Sequence, residues 1–201
     1  MKALVVFAHP SSDSFVGSLR DLVLQELAQQ GHEMRHRDLY AEGFSPVFTA
    51  YERVNHVGDL EEKLDHLPEL RSHVDDLRWC DTLVLVYPTW WSAQPAIMKG
   101  WIDRVFMNHV AWVLPEGASR ISPLLTNVRR LVVVTTHGSS KLVNSVQGES
   151  GKRIALRSMR TMFHRRTRTK WIAVYSLDKT EDSGRASALS SVQKRLRRAF
   201  S

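Results

Sequence analysis

Cysteine is nearly absent from this chain of 201 residues, which contains Cys80 and no second cysteine. A single cysteine excludes an intramolecular disulfide and is consistent with a reducing compartment. The sequence also lacks the run of about 20 apolar residues that a membrane-spanning helix needs. A short apolar run at residues 3–8 follows Lys2, but no small-residue cleavage site follows it, which argues against a secretory signal. We therefore expect a cytoplasmic protein without a membrane-inserted segment.

Three further absences narrow the classes of function. Neither glycine-rich nucleotide fingerprint, G-x-G-x-x-G or G-x-x-x-x-G-K-[ST], occurs in the loop that follows the first apolar run. There is no internal repeat and no low-complexity segment, so we expect a single domain over residues 1–201. No nucleic-acid-binding motif is recognisable, and we predict neither nucleic-acid binding nor a metal site.

The charge of the chain is positive and unevenly distributed. Hydrophobic residues make up 43% and charged residues 24% of the sequence, which are ordinary globular values. The net charge is +7, yet residues 1–100 carry a net charge of −6 and residues 101–201 a net charge of +13. Asymmetry of this kind is found in proteins that contact nucleic acid, an anionic surface or phosphate-bearing ligands, and equally in proteins with a basic helical face in solvent.

Apolar runs and helical periodicity alternate along the chain. Four runs rich in Val, Leu and Ile indicate strands buried on both faces, and a more polar fifth run indicates an edge strand. The buried runs are residues 3–8, 82–87, 131–135 and 171–175, and the edge strand is residues 33–37. Helical spacing of apolar residues occurs at residues 19–27, 67–79, 96–107, 154–163 and 187–200. The alternation predicts an α/β fold, a doubly wound five-stranded parallel sheet with helices on both faces.

Two segments, at about residues 38–66 and 108–128, are longer than normal loops. Long segments of this kind in a compact domain are often functional. We expect them to form a wall of a pocket or a subunit interface.

In an open α/β sheet, ligands bind beyond the carboxyl ends of the strands, and this rule selects three loops. The first, residues 9–15, is rich in hydroxyls and leads into a helix N-terminus, which favours either an anion or a simple helix cap. The second, residues 88–95, carries Trp90 and Trp91 between two prolines; they suit either a planar aromatic ligand or packing in the core or a subunit contact. The third, residues 135–140, places His137 beside Gly138, which permits close backbone approach; the histidine is a titrating group, a positive charge beside a ligand, or merely an exposed side chain.

Together these loops resemble a known family, the flavodoxin-like NAD(P)H quinone oxidoreductases. That family includes mammalian quinone reductases, bacterial modulators of drug activity and ancillary subunits of glutathione-gated potassium efflux systems. The most specific segment is residues 87–106, with the pattern P-x-x-W…P-A-x-x-K-G-W-x-D-R-V-F. Further matches lie at residues 8–10, 14–15, 38–40, 44–46 and 135–139.

The resemblance implies a strand order 2-1-3-4-5, a bound flavin and a homodimer with pockets at the subunit interface. FMN is favoured over FAD, since no site for an adenylate is evident. The implied activity is two-electron, ping-pong hydride transfer from NADPH or NADH through flavin N5 to a quinone. The implied flavin contacts are His9, Ser14, Phe15 and Val16 at the phosphate, Thr89, Trp90, Trp91 and Ser92 at the ring, and Thr135, Thr136, His137 and Gly138 at the N1–O2 edge. His137, if cationic, would be the catalytic residue, stabilising the reduced flavin.

The sequence departs from the family at several positions. Val16 stands where the family often has Asn, and His137 replaces a common Gly. The Tyr and His that follow the third loop in mammalian enzymes have no counterpart in residues 141–150, so the resemblance leaves two alternatives open. These are a flavin-bearing regulatory subunit of a membrane transport system and a reductase of azo or nitro compounds. The basic stretch at residues 152–170 clasps the 2′-phosphate of NADPH, contacts an acidic partner, or is a solvated face.

Overall fold

The computed structural model describes residues 1–201. Its strands are β1 Lys2–Phe7, β2 Glu33–Asp38, β3 Thr82–Pro88, β4 Trp112–Val113, β5 Ser122–Pro123, β6 Arg130–Thr136 and β7 Arg168–Val174. Its helices are α1 Phe15–Gln29, α2 Ala50–Val54, α3 Leu60–His66, α4 Pro68–Trp79, α5 Ala96–Val105, α6 Lys141–Val146, α7 Ser150–Arg153 and α8 Asp182–Phe200. A π-helical turn, Ile154–Ser158, and two 3₁₀ turns, Met159–Met162 and Leu177–Lys179, complete the secondary structure.

Five strands form one parallel sheet in the order β2-β1-β3-β6-β7. Since β6 and β7 are the fourth and fifth strands of this sheet, the predicted order 2-1-3-4-5 is confirmed. The polar strand β2 lies at one edge, as its composition predicted, because an edge strand needs to bury only part of its surface. The strands β4 and β5 form a separate antiparallel pair.

The side chains of the central strands alternate between two apolar cores. One core contains Leu4, Val6 and Leu85 together with residues of α3, α4 and α5. The other contains Val5 and Val86 together with residues of α1 and α8. This alternation explains why the strand sequences are continuous apolar runs, because each residue is buried whichever way it points. The helices are all too short or too polar to cross a lipid bilayer.

The structure corrects the predicted elements in five places. The segment at residues 38–66 is not a long loop, since it contains α2 and α3, and residues 108–128 contain the β4–β5 hairpin. The helix predicted at residues 154–163 is instead a π turn followed by a 3₁₀ turn. The strand predicted at residues 171–175 begins earlier, at Arg168, where polar side chains are tolerated because β7 is the second edge strand. The helix α6 was not predicted, because its apolar residues Leu142 and Val146 are exposed and follow no buried stripe.

The carboxyl ends of the sheet strands lie at one edge. Pro88 of β3 is in register with Thr136 of β6, which is in register with Val174 of β7. The loops that follow these strands therefore lie side by side, and the loop after β1 lies next to them because Phe7 pairs with Val86. The three loops selected from the sequence meet at this edge.

Candidate functional site

A cleft lies at the carboxyl edge of the sheet and consists of two adjoining cavities. The larger, about 440 Å³, is lined by His9, Ser14, Phe15, Val16, Pro88, Thr89, Trp90, Thr136, Gly138, Leu177 and Asp178. The smaller, about 240 Å³, is lined by Thr89, Trp91, Ser92, His137, Gly138, Ser139, Asn144 and Gln147. Thr89 and Gly138 line both cavities, so the two form one site, here called the carboxyl-edge cleft.

The cleft brings together the candidate residues from all three loops. Of the predicted set, only Thr135 does not line either cavity; it is fully buried, and its hydroxyl oxygen lies 3.0 Å from Oγ1 of Thr89. Thr135 therefore supports the cleft wall from behind. Its position follows from strand alternation, since successive side chains of β6 point to opposite sides.

One end of the cleft is the N-terminus of α1. Ser14 caps this helix, because its Oγ accepts a hydrogen bond from the Gly17 N–H at 3.0 Å and donates one to the Ser11 carbonyl at 2.8 Å. A Cβ at Gly17 would lie 1.9 Å from the Ser12 carbonyl oxygen, so the loop can pass this close only over a glycine. The first N–H groups of a helix have no intrahelical partner, and together with the helix dipole they favour an anion. The prediction that Ser14 caps the helix is thus confirmed. The other N–H groups at the start of α1 remain available to bind a ligand.

The tryptophan loop is a tight two-residue turn. Trp90 and Ala93 exchange backbone hydrogen bonds of 3.1 and 3.0 Å, and the two residues between them have left-handed φ values, 48° at Trp91 and 63° at Ser92. Such turns normally carry Gly or Asn, and each other residue in this conformation costs roughly 1–2 kcal/mol. Strained backbone of this kind concentrates at functional sites.

The two tryptophans do not pack in the core, so the core half of the alternative interpretation is wrong, and the subunit contact stays a prediction. Trp91 is fully exposed and Trp90 is 42% exposed, with its ring centroid 6.4 Å from that of His9. The turn is held from the other side, because the Ser92 carbonyl accepts hydrogen bonds from the Gly151 N–H at 2.9 Å and the Ser150 hydroxyl at 2.6 Å. The indoles therefore stand as free apolar surfaces on a fixed loop.

His137 is a buried side chain and not the exposed one that a loop position suggested. Its ring stacks on Tyr175 with centroids 4.7 Å apart, and Nε2 lies 3.5 Å from Oγ1 of Thr89. Nδ1 is buried without a hydrogen-bond partner. Burial lowers the pKa of His137, so the imidazole is neutral at pH 7. A cationic His137, the form considered from the sequence, is therefore disfavoured in the free protein.

Three polar residues that no sequence motif indicated, Tyr175, Glu149 and Lys152, are linked by hydrogen bonds behind His137. The hydroxyl of Tyr175 donates to Oε1 of Glu149 at 3.4 Å, and Nζ of Lys152 donates to Oε2 of Glu149 at 2.8 Å. The hydrogen bond from Lys152 lowers the pKa of Glu149, so this carboxylate is ionised at pH 7. Tyr175 follows β7, so the loop-edge rule applied to the fifth strand would have placed it here. Residues 141–150, which follow the third loop, contain no tyrosine. The tyrosine beside His137 is Tyr175, which follows β7.

Leu177 and Asp178 are two lining residues that the sequence did not indicate. They belong to the 3₁₀ turn after β7, and Asp178 closes the larger cavity against Gly138. A Cβ at Gly138 would lie 2.1 Å from Oδ2 of Asp178. The glycine predicted for close backbone approach thus meets a carboxylate of this chain.

The basic stretch at residues 152–170 is not one patch. Lys152 lies at the carboxyl edge beside Glu149, whereas Arg168 begins β7 at the opposite, amino edge of the sheet. A strand of seven residues at about 3.3 Å per residue separates the two edges by roughly 20 Å. A single clasp for one phosphate, built from the whole stretch, is therefore excluded.

The chain is similar to curated proteins whose names contain ribosyldihydronicotinamide dehydrogenase. It is 32% identical over 169 residues to the ribosyldihydronicotinamide dehydrogenase-like protein traD of Penicillium crustosum, an alignment that covers 75% of this chain and 62% of that protein. It is 31% identical over 163 residues to the human ribosyldihydronicotinamide dehydrogenase [quinone], covering 74% of this chain and 70% of that protein. The chain thus spans less than two thirds of the length of the Penicillium relative.

Solved structures share the same architecture. Smu.1420 from Streptococcus mutans UA159 is 26% identical, with a TM-score of 0.80 over 98% of this chain and 100% of that chain. An FMN-dependent NADH-azoreductase from Bacillus anthracis, solved in complex with FMN, is 14% identical and has a TM-score of 0.77, which shows a common fold alone; the match covers 100% of this chain and 99% of that one. The family described as having a flavodoxin-like fold matches residues 1–199, and this chain belongs to that family.

Proposed function

We propose that this protein is a flavin-dependent NAD(P)H:quinone oxidoreductase with its flavin, FMN by preference, in the carboxyl-edge cleft. The observation that carries the proposal is the convergence of three loops on one cleft that offers a helix N-terminus, apolar indoles and an unpartnered imidazole nitrogen. The division of the helices between two cores supports the doubly wound arrangement, in which this edge is the ligand edge. The names of the dehydrogenase relatives agree with this activity.

The residues present fit a flat ring with an anionic tail. The N-terminus of α1, with His9, Ser14, Phe15 and Val16, suits the phosphate and the chain that bears it. Thr89, Trp90, Trp91 and Ser92 suit the ring. The buried Nδ1 of His137 is the polar atom that still needs a partner, and a hydrogen-bonding ring edge would satisfy it.

A bound flavin would supply the hydride chemistry, and the protein has to bind, orient and exclude water. A neutral His137 can orient a ligand by a hydrogen bond, with Tyr175 fixing its ring plane from behind. Thr136, His137 and Gly138 lie at the end of β6, where backbone and side-chain donors can stabilise negative charge in the manner of an oxyanion hole. The ionised Glu149, held by Lys152, keeps a negative charge behind Tyr175 and orients the phenol.

One cleft for both the nicotinamide and the acceptor implies ping-pong kinetics. We expect parallel double-reciprocal plots when quinone is varied at several fixed NADPH or NADH concentrations. Azo and nitro compounds, assayed in the same way, identify the preferred acceptor. Intersecting lines would require both substrates to be bound at once and would contradict a shared site.

We also propose that a second copy of this chain covers the open side of the cleft. Trp91 is fully exposed, and Leu142 and Val146 of the adjacent helix α6 are 75% and 82% exposed. The side chains of Ser92 and Gln147 join the two elements by a hydrogen bond of 3.2 Å, so these apolar groups belong to one surface. Exposed apolar groups gathered in this way are typical of interfaces. Light scattering coupled to gel filtration measures whether the protein is a dimer.

The experiment that tests the proposed function is an absorbance spectrum of the purified protein. We expect a yellow protein with a flavin spectrum, whose flavin is released by denaturation and identified as FMN by mass spectrometry. A released mass matching FAD would correct the cofactor but retain the site. A colourless protein that takes up neither FMN nor FAD would contradict the proposal.

A further inference from the structure

A second cleft lies at the amino edge of the sheet, opposite the proposed flavin site. It has a volume of about 390 Å³ and is lined by Met1, Asp81, Thr82, Arg129, Arg130, Arg166 and Arg168. Four of its seven lining residues are arginines, and we call it the arginine cleft. It comes from the turns that precede β3, β6 and β7, so it shares no residue with the carboxyl-edge cleft.

Three of the four arginines in the arginine cleft have no carboxylate partner. Arg129, Arg166 and Arg168 are exposed and form no ion pair with any carboxylate. Arg130 donates to the main-chain oxygens of Ala199 and Ser201, so its side chain is fixed in position.

The one carboxylate that lines the cleft, that of Asp81, accepts hydrogen bonds from a backbone N–H and from a hydroxyl. Oδ2 of Asp81 accepts from the Lys2 N–H at 3.0 Å, and Oδ1 accepts from the Thr82 hydroxyl at 2.7 Å. The carbonyl of Asp81 also accepts the N–H of Arg129 at 2.7 Å. Asp81 thus ties the starts of β1, β3 and β6 together, and its single negative charge is outnumbered by the four arginines of the cleft.

Two of the arginines lie side by side on neighbouring strands. Arg130 and Arg168 are direct partners on neighbouring strands, and like charges so placed destabilise a sheet. Burial and then Arg168 lower the pKa of Arg130, and burial followed by Arg129 and Arg166 lowers the pKa of His164 nearby. An anion in the cleft would remove this repulsion.

We propose that the arginine cleft binds a small phosphate-bearing ligand. Guanidinium groups bind phosphate through paired hydrogen bonds in a fixed planar geometry. The cleft has the size of small-molecule sites, but arginines line it in place of the usual apolar groups, which selects a polyanion over an apolar compound. Because β6 is seven residues long, the ligand lies roughly 20 Å from the carboxyl-edge cleft and is separate from the proposed redox chemistry.

The test is isothermal titration calorimetry with sodium tripolyphosphate and with ATP as probes. The variant is Arg129→Gln with Arg166→Gln, and the matched control is Arg157→Gln, an exposed arginine of the π turn that does not line the cleft. We expect one molecule of tripolyphosphate to bind per chain and the dissociation constant to rise at least about tenfold in the double variant, while the control changes less than about twofold, because hydrogen bonds to charged groups are stronger than those between neutral groups. Equal affinity for ATP would indicate recognition of phosphates alone, and tighter binding of ATP would indicate a nucleotide as the source.

Three outcomes would overturn the proposal. They are the absence of stoichiometric binding, equal weakening by the control substitution, and tighter binding of a single-stranded oligonucleotide that all variants weaken equally, which would indicate a diffuse basic face. Circular dichroism and flavin content, measured on the same samples, verify the fold and leave the proposed function independent of the result. If the double variant does not fold, Arg166→Gln alone serves, since this side chain makes no hydrogen bond or ion pair within the protein.

Discussion

At the residue scale, His73 is a buried histidine that serves packing and not chemistry. Its Nδ1 accepts the indole N–H of Trp101 at 3.3 Å, and its ring meets Phe44 edge-on at 5.1 Å. Burial, with the nearby positive charge of Arg37, lowers the pKa of His73 from 6.5 to about 4. The residue is therefore neutral in the folded protein over the whole physiological range.

This pKa predicts acid sensitivity. The unfolded chain binds the proton with a pKa near 6.5, so the stabilisation is complete above that pH and is lost as the pH falls toward 4. Between pH 7 and pH 5 we expect the free energy of unfolding to fall by about 2 kcal/mol through this residue. Urea unfolding of the natural protein and of His73→Gln at both pH values measures the difference. An equal loss in the two proteins would assign the acid sensitivity to other groups.

The backbone strain and the full exposure of Trp91 argue that this residue is kept for a function. Its side chain is fully exposed and its φ is 48°, so it adds strain without adding to the core. We predict that Trp91→Gly leaves the melting temperature unchanged or raises it, with a gain of up to about 1 kcal/mol, because glycine adopts this conformation freely. The same variant should lose affinity for the nicotinamide or the second copy, seen as a raised KM or a monomer in light scattering.

The control for this prediction is Leu142→Ser, which removes apolar surface from the neighbouring helix without altering a strained backbone position. It should weaken dimerisation with no gain in melting temperature. A Trp91→Gly protein that melts at a lower temperature and retains both full activity and its oligomeric state would show that the indole serves stability alone.

At the scale of elements, the contact between α5 and the loop before α2 is set by one glycine. A Cβ at Gly100 would lie 2.4 Å from both the Cα and the carbonyl oxygen of Pro46, which are backbone atoms that cannot turn aside. Gly184 of α8 offers a matched comparison, since a Cβ there would meet only a side-chain methyl of Thr180 at 2.7 Å. Both glycines are helical, so the two sites differ in packing and not in backbone conformation.

We predict that Gly100→Ala destabilises the protein by about 1–3 kcal/mol, the usual cost of overpacking. Gly184→Ala should be neutral or stabilising by up to about 1 kcal/mol, because alanine is the better helix former. Thermal unfolding of the two variants gives the comparison. If both substitutions are equally harmless, α5 does not need its close approach to Pro46.

The elements also show what the sequence could and could not predict. The strands β1, β3 and β6 are buried on both faces, so continuous apolar runs identified them, whereas their order in the sheet came from the resemblance to a known family. The helix α6 has no buried apolar stripe, since only Asn144 of its residues is buried. Its sequence therefore lacks the helical periodicity of apolar residues from which a helix is predicted. The 3₁₀ turn that carries Asp178 is fixed by tertiary contacts, with the Leu177 N–H donating to the His137 carbonyl at 3.1 Å. Such contacts leave no local pattern.

At the scale of the whole molecule, the parallel sheet separates two kinds of surface. Every strand of the sheet runs in the same direction, so the turns rich in arginine lie at one edge and the turns rich in hydroxyls and indoles at the other. The excess positive charge of residues 101–201 is thus divided between the edges, with Lys152 at the carboxyl edge and Arg168 at the amino edge. Net charge counted along the sequence could not reveal that division.

The separation predicts that the two clefts act independently. Ligands at sites well over 10 Å apart, without shared contacts, should stabilise the fold additively. We expect the rise in melting temperature with FMN and tripolyphosphate together to equal the sum of the separate rises. Hydrogen exchange should show FMN protecting residues 9–16, 89–92 and 136–138, and tripolyphosphate protecting residues 129–130 and 166–168. Tripolyphosphate that instead protects the first set competes for the flavin phosphate position, and a combined rise below the sum would reveal that competition.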